Sequence, residues 1–165
     1  MNRKRILWIL AAVLVLIQLI RIDKSNPPVD PKLDFQAAAH PPAEVLTLIR
    51  DACYNCHSDE SRYPWYSNVA PVSWWLKHHV NEAKEHFNFS TLGVLKPEDL
   101  KWALGTAAKE IRESKMPLSS YTWMHPEARL SDEQRALLAH WLDNFTPVST
   151  GYGSVENRGE NTPFR

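Results

Sequence analysis

The two cysteines of this 165-residue chain stand two apart, with a histidine directly after the second, in Cys53-Tyr54-Asn55-Cys56-His57. With no third thiol, the pair can hold only something local, and the fold must bring the remaining partners to this one turn. Such a turn can be a redox dithiol, half of a metal site or an anchor for haem.

The pattern around it is helical. After Pro41 and Pro42, Val45, Leu48, Ile49 and Ala52 fall at i, i+3, i+4 and i+7, so a short amphipathic helix runs into the cysteines. A second helix is predicted from Pro71, with Val72, Trp75, Leu76, Val80, Ala83 and Phe87 as its stripe. A third begins at Pro97, carries Glu98 and Asp99 in its first turn, and shows Leu100, Leu104, Ala107 and Ile111 on one face. Ser131 and Gln134 form a capping box for a fourth, with Leu137, Leu138, Trp141 and Leu142 on its apolar side. No strand-like alternation occurs, so the expected fold is all-α, with long loops over 58–70 and 115–130 that need something to enclose.

An all-helical setting removes the βαβ context of a thioredoxin-like dithiol. Structural zinc wants four soft or borderline ligands, and a second cysteine pair is missing. Haem fits: two thiols on one helical turn each add to a vinyl group, and the next imidazole meets the iron from the proximal side. Cys53, Cys56 and His57 are therefore the candidate attachment points and proximal ligand of one covalent haem c. The sixth position of the iron has several candidates. Met116, followed by Pro117 in the loop after the third helix, is the leading one; its alternative is an ordinary core methionine. Met124, His125 and His79 stay open beside it, while His78 and His86 read as peripheral. Tyr63, Trp65, Tyr66, Trp74 and Trp75 are predicted to wall the cofactor, with Arg62 near enough in sequence to pair a propionate.

The N-terminus carries a different signal. Basic Arg3, Lys4 and Arg5 precede an apolar run from Ile6 to Ile20, broken only by Gln18 and closed by Arg21. This predicts a single transmembrane helix with Arg5 and Arg21 at the two interfaces, uncleaved because bulky Leu19, Ile20 and Ile22 stand where a signal peptidase needs small residues. The expected location is the inner (cytoplasmic) membrane, single-pass, with the haem domain facing the periplasm. The neutral total of nineteen basic and nineteen acidic residues hides a more acidic body, eleven Lys/Arg against fourteen Asp/Glu over 41–147, or 11 − 14 = −3. No basic stripe is present, which sets nucleic acid aside.

The runs CYNCHSDESRYPWYSNVAPVSWWLKHHV and KMPLSSYTWMHPEARLSDEQRALLAHW resemble the bacterial haem-binding domain family, a cytochrome c-like group with a single Cys-x-x-Cys-His that is often anchored by one N-terminal helix. The likeness covers about 41–145. It implies a small cytochrome c-like helical domain around one covalently attached haem, with Cys53 and Cys56 as thioether attachments, His57 as proximal ligand and Met116 as distal ligand. The chain departs from the pattern at Ala83–Lys84, where a Gly-Arg pair would be expected.

The resulting expectation divides the chain into a membrane anchor (1–22), a proline-containing tether (23–40), the haem-binding domain (41–146) and a disordered tail (147–165). The expected function is single-electron transfer with an unidentified redox partner. The alternative is a haem enzyme or a gas or peroxide sensor with an open sixth position; no acid/base constellation beside the motif favours an enzyme.

Overall fold

The computed structural model describes residues 2–146; the predicted tail, 147–165, lies outside the described residues. The order is α1 (Arg3–Ile17), α2 (Phe35–Ala39), α3 (Ala43–Ala52), α4 (Tyr54–His57), α5 (Val72–His86), α6 (Pro97–Arg112), α7 (Ser119–Met124) and α8 (Asp132–Asp143), with 3-10 turns at Trp65–Asn68, Phe89–Val94 and Pro126–Ala128. The described residues are thus all-helical, as the periodicity required. Helix α6 packs along α8, α3 leans on α8, and α4 rests on α5.

The capping box of α8 is present on both sides: the Ser131 hydroxyl accepts from Gln134 N, and the Gln134 side chain accepts from Ser131 N. Pro97 opens α6 with Glu98 and Asp99 in the first turn, where acidic side chains favour the helix dipole. The stripes bury Val45, Leu48 and Ile49 of α3, Leu100, Leu104 and Ile111 of α6, and Leu138 and Leu142 of α8 in one core. Phe89, outside any α-helix, sits at the centre of that core. Its ring meets Phe35 edge-on at 5.1 Å, stacks on Tyr54 at 5.0 Å and meets Phe87 edge-on at 5.0 Å.

The predicted membrane helix is overturned. Helix α1 stops at Ile17 after fifteen residues, a length of about 22 Å against an apolar bilayer thickness of about 30 Å. Among the described residues no helix is long and apolar enough to cross a membrane, which conflicts with a single-pass inner-membrane protein. At the stop the chain is tied to a distant segment. The Gln18 side chain donates to Leu14 O at 2.8 Å and to Ala70 O at 3.0 Å, and accepts from Ala70 N at 2.9 Å. Arg21, expected at a bilayer interface, donates instead to Asn68 O at 2.6 Å, and the Trp74 indole donates to Ile20 O at 3.1 Å.

The segment 23–40, read as a tether, also packs against the rest of the chain. Asp34 caps α2 by accepting from Gln36 N and takes the Tyr54 hydroxyl at 3.1 Å on each carboxylate oxygen. Phe35 is fully buried. Gly93 N donates to Leu33 O at 2.8 Å, and a Cβ added at Gly93 would stand 2.9 Å from Leu33 Cα. Gly93→Ala therefore forces two backbones apart, and urea unfolding should show a loss of about 1–3 kcal/mol; an unchanged midpoint would mean that this segment contributes nothing to stability.

Candidate functional site

Helix α3 ends at Cys53, whose φ of −124° breaks the helical path, and the cysteine motif then forms its own single turn. The Cys53 carbonyl accepts from both Cys56 N (3.1 Å) and His57 N (2.9 Å), which fixes the turn. The two residues between the cysteines hold it from behind. Tyr54 is buried against Phe89 and Asp34, and Asn55 donates from Nδ2 to the Tyr121 hydroxyl at 2.7 Å. Ser58 closes the turn by donating to Tyr54 O at 2.7 Å.

On the other side of this turn lies a cavity of about 360 Å³, within the roughly 300–1,000 Å³ span of small-molecule sites. Cys53 and His57 stand on its wall beside Ile49 and Ala52; α6 supplies Ala103, Ala107 and Ile111, and Met116 and Pro117 close it from the loop after α6. The lining is mostly apolar, with Thr106, Glu110 and His86 as its polar members.

His57 is held at two points. Its ring stacks on Phe87 at 4.7 Å and 21°, and Nδ1 lies 3.3 Å from the Phe87 carbonyl. That carbonyl takes the proton on Nδ1 and leaves Nε2 as the basic nitrogen, the tautomer an iron ligand needs. Burial lowers the His57 pKa, against the opposing pull of the Phe87 and Ala83 carbonyls, so the ring is neutral. Burial pushes the Cys53 thiol up to about 12, with Cys56 adding to the shift, and pushes Cys56 up to about 11, where Lys84 opposes it. Such thiols are poor nucleophiles at neutral pH, which argues against a redox dithiol.

Met116 reaches the cavity because α6 ends in a left-handed residue. Ser114 has φ 56°, and Lys115 N and Met116 N both donate back to Glu110 O, at 3.0 and 3.2 Å. Arg135 of α8 then ties the loop down, donating to Ile111 O at 2.7 Å and Met116 O at 2.9 Å. The other candidates for the sixth position lie elsewhere. Met124 is exposed, His125 bonds Tyr66 and Glu127, and His79 sits on Trp75 with Nδ1 2.9 Å from the Trp75 carbonyl. His86, read as peripheral, is in fact on the cavity wall.

Two expectations about the surroundings need correction. The predicted aromatic wall is not the wall of this cavity. Tyr63 and Tyr66 line a narrow cleft on the Cys56 side together with Arg62, Trp65 is 70 % exposed, and Trp74 and Trp75 face the N-terminal segment and His79. The aromatic residues that do line the cavity are Phe87, Phe89 and Trp102. The two thiols also border different hollows, Cys53 the cavity and Cys56 the cleft. Lys84, at the point of departure from the expected Gly-Arg pair, makes a half-buried ion pair with Asp59 at 3.1 Å.

These residues fit a haem. A neutral imidazole with its second nitrogen fixed, a thioether donor, a thiol on the wall and flat apolar sides are the donor set and surface such a macrocycle takes. A family model described as a haem-binding domain matches residues 12–144. No curated protein and no solved structure matches the chain.

Proposed function

The chain belongs to the haem-binding domain family, and on that premise we propose that it carries one covalent haem c and passes single electrons to and from a redox partner. The carrying observation is that one cavity brings together the His57 imidazole, the Cys53 thiol and the Met116 thioether. When bound, haem supplies one-electron exchange at its iron.

The chain's own residues bind, orient and shield. Cys53 would offer its thiol to one vinyl group from the cavity wall. Cys56, which borders the cleft on the other side of the turn, would have to swing toward the cavity to offer its thiol to the second vinyl group. His57, held in place by the Phe87 ring and carbonyl, would offer Nε2 to the iron. Met116 offers its sulfur from the loop that Arg135 clamps. A thioether together with an imidazole as iron ligands would favour ferrous iron and so raise the reduction potential. Ala103, Ala107 and Ile111 give the cavity an apolar wall that would keep water from a bound cofactor. The mildly acidic body, 11 − 14 = −3 over 41–147, suits a partner with a basic face.

Met116→Ala tests the assignment. The oxidised parent should show the weak far-red band of a thioether-ligated haem, and the variant should lose it and bind carbon monoxide at once when reduced. A parent without that band, or a variant that keeps it, would refute Met116 as the ligand.

A further inference from the structure

The cleft behind the cysteine turn holds a hydrogen-bonded chain that the proposed haem chemistry does not use. The Tyr66 hydroxyl lies 2.9 Å from His125 Nε2, and His125 Nδ1 lies 2.9 Å from Glu127 Oε1. The carboxylate accepts a hydrogen bond from Nδ1–H, so Nε2 is the acceptor and Tyr66 the donor. Tyr121 stacks on the imidazole at 4.2 Å and 15°, fixing its plane, and is itself held by Asn55. Tyr66 and Cys56 line the same cleft. The Trp65 ring, 5.8 Å from that of Tyr66, stands 70 % exposed.

We propose that Tyr66, His125 and Glu127 form a redox-active tyrosine site, in which Tyr66 gives up an electron while its proton passes to His125, so that a strong oxidising equivalent arriving beside Cys56 is held on Tyr66. The co-reactant is a one-electron oxidant whose couple lies above that of the phenoxyl radical and its phenol. That acceptor takes one electron from the Tyr66 ring and is reduced by one. The Tyr66 O–H bond breaks, an N–H bond forms at His125 Nε2, and the products are a neutral phenoxyl radical and an imidazolium beside the Glu127 carboxylate.

Coupling is what makes the step accessible, because a phenol oxidised without a base must pass through a radical cation. Burial keeps Tyr66 in its protonated form, so the proton is there to be transferred. Tyr54 is a second phenol with an acceptor, Asp34. Its acceptor is a carboxylate, intrinsically a weaker base than an imidazole. Tyr121 has a hydroxyl that accepts from Asn55, and no base is bonded to it. The Tyr63 hydroxyl accepts from Lys77, so among the described tyrosines Tyr66 is the phenol bonded to an imidazole. The site deepens the electron-transfer reading, yet its chemistry needs no iron ligand.

The test is flash oxidation of the full-length protein, as isolated, with photogenerated tris(bipyridine)ruthenium(III), read by electron paramagnetic resonance. A tyrosyl signal should form in the parent, vanish in Tyr66→Phe and persist in Tyr54→Phe and Tyr121→Phe. His125→Gln, which keeps a hydrogen-bond acceptor but cannot take the proton, should slow formation by about 100-fold, the scale of one general base. A signal that survives Tyr66→Phe, or a parent that gives none, overturns the proposal. Haem content is measured on the same samples, so loss of the haem reading and loss of the tyrosine site register separately.

Discussion

Acid–acetone extraction of the double variant Cys53→Ser, Cys56→Ser should remove all of its haem, whereas the parent should keep its haem on the polypeptide. The expectation follows from the turn. Cys53 and Cys56 are the only thiols in the sequence, and both are free of disulfide bonding. Serine preserves the size and the backbone of the turn, including the bonds from Cys56 N and His57 N to the Cys53 carbonyl. His57 and the apolar walls remain, so the variant should still take up haem as a dissociable ligand. Each single variant should retain covalent haem through one thioether. If the parent's haem is extracted as freely as the double variant's, the cysteines do not anchor it.

Phe89→Ala should cost about 3–5 kcal/mol in urea unfolding, the range for emptying a buried aromatic position. Phe89 is 1 % exposed and its ring touches Phe35, Tyr54 and Phe87. The same substitution should disturb the site, because Phe87 is the residue that stacks on His57 and accepts from it. A drop in stability with unchanged haem spectra would separate the core from the cofactor pocket; a loss below about 1 kcal/mol would mean that the cluster has repacked.

The long helices were legible because each carries its own period and punctuation. The stripe of α3, the proline and acids at the start of α6, and the Ser131–Gln134 box of α8 are local signals, and local signals survive in a sequence. Helix α2 was not legible: five residues hold no period, and Phe35 is buried against Phe89 and Trp141, which lie far away in sequence. The apolar run at the N-terminus misled for a related reason. Hydropathy counts apolar residues but does not say where the helix stops, and Gln18 stops it through a partner 52 positions away.

Within the site, the cysteine turn was readable from spacing, but its walls were not. Aromatic residues close in sequence to Cys56 were assigned to the cofactor, yet the Trp65–Asn68 turn carries Tyr66 to the cleft and leaves Trp65 in solvent. The stripe of α6 offered the better signal. Ala103, Ala107 and Ile111 line the cavity, and extending that face by one position reaches Trp102, Thr106 and Glu110. The role of Ser114 was hidden because a left-handed residue after a helix is expected to be glycine.

The central claim is that Cys53, Cys56 and His57 hold one haem covalently, and intact mass of the denatured protein tests it most directly. Produced in a bacterial host with haem-attachment machinery, the chain should weigh its 19.0 kDa polypeptide plus one haem, with peptide mapping placing the addition on the segment that contains Cys53 and Cys56. A bare polypeptide mass, from a preparation whose spectrum shows bound haem, would contradict the account.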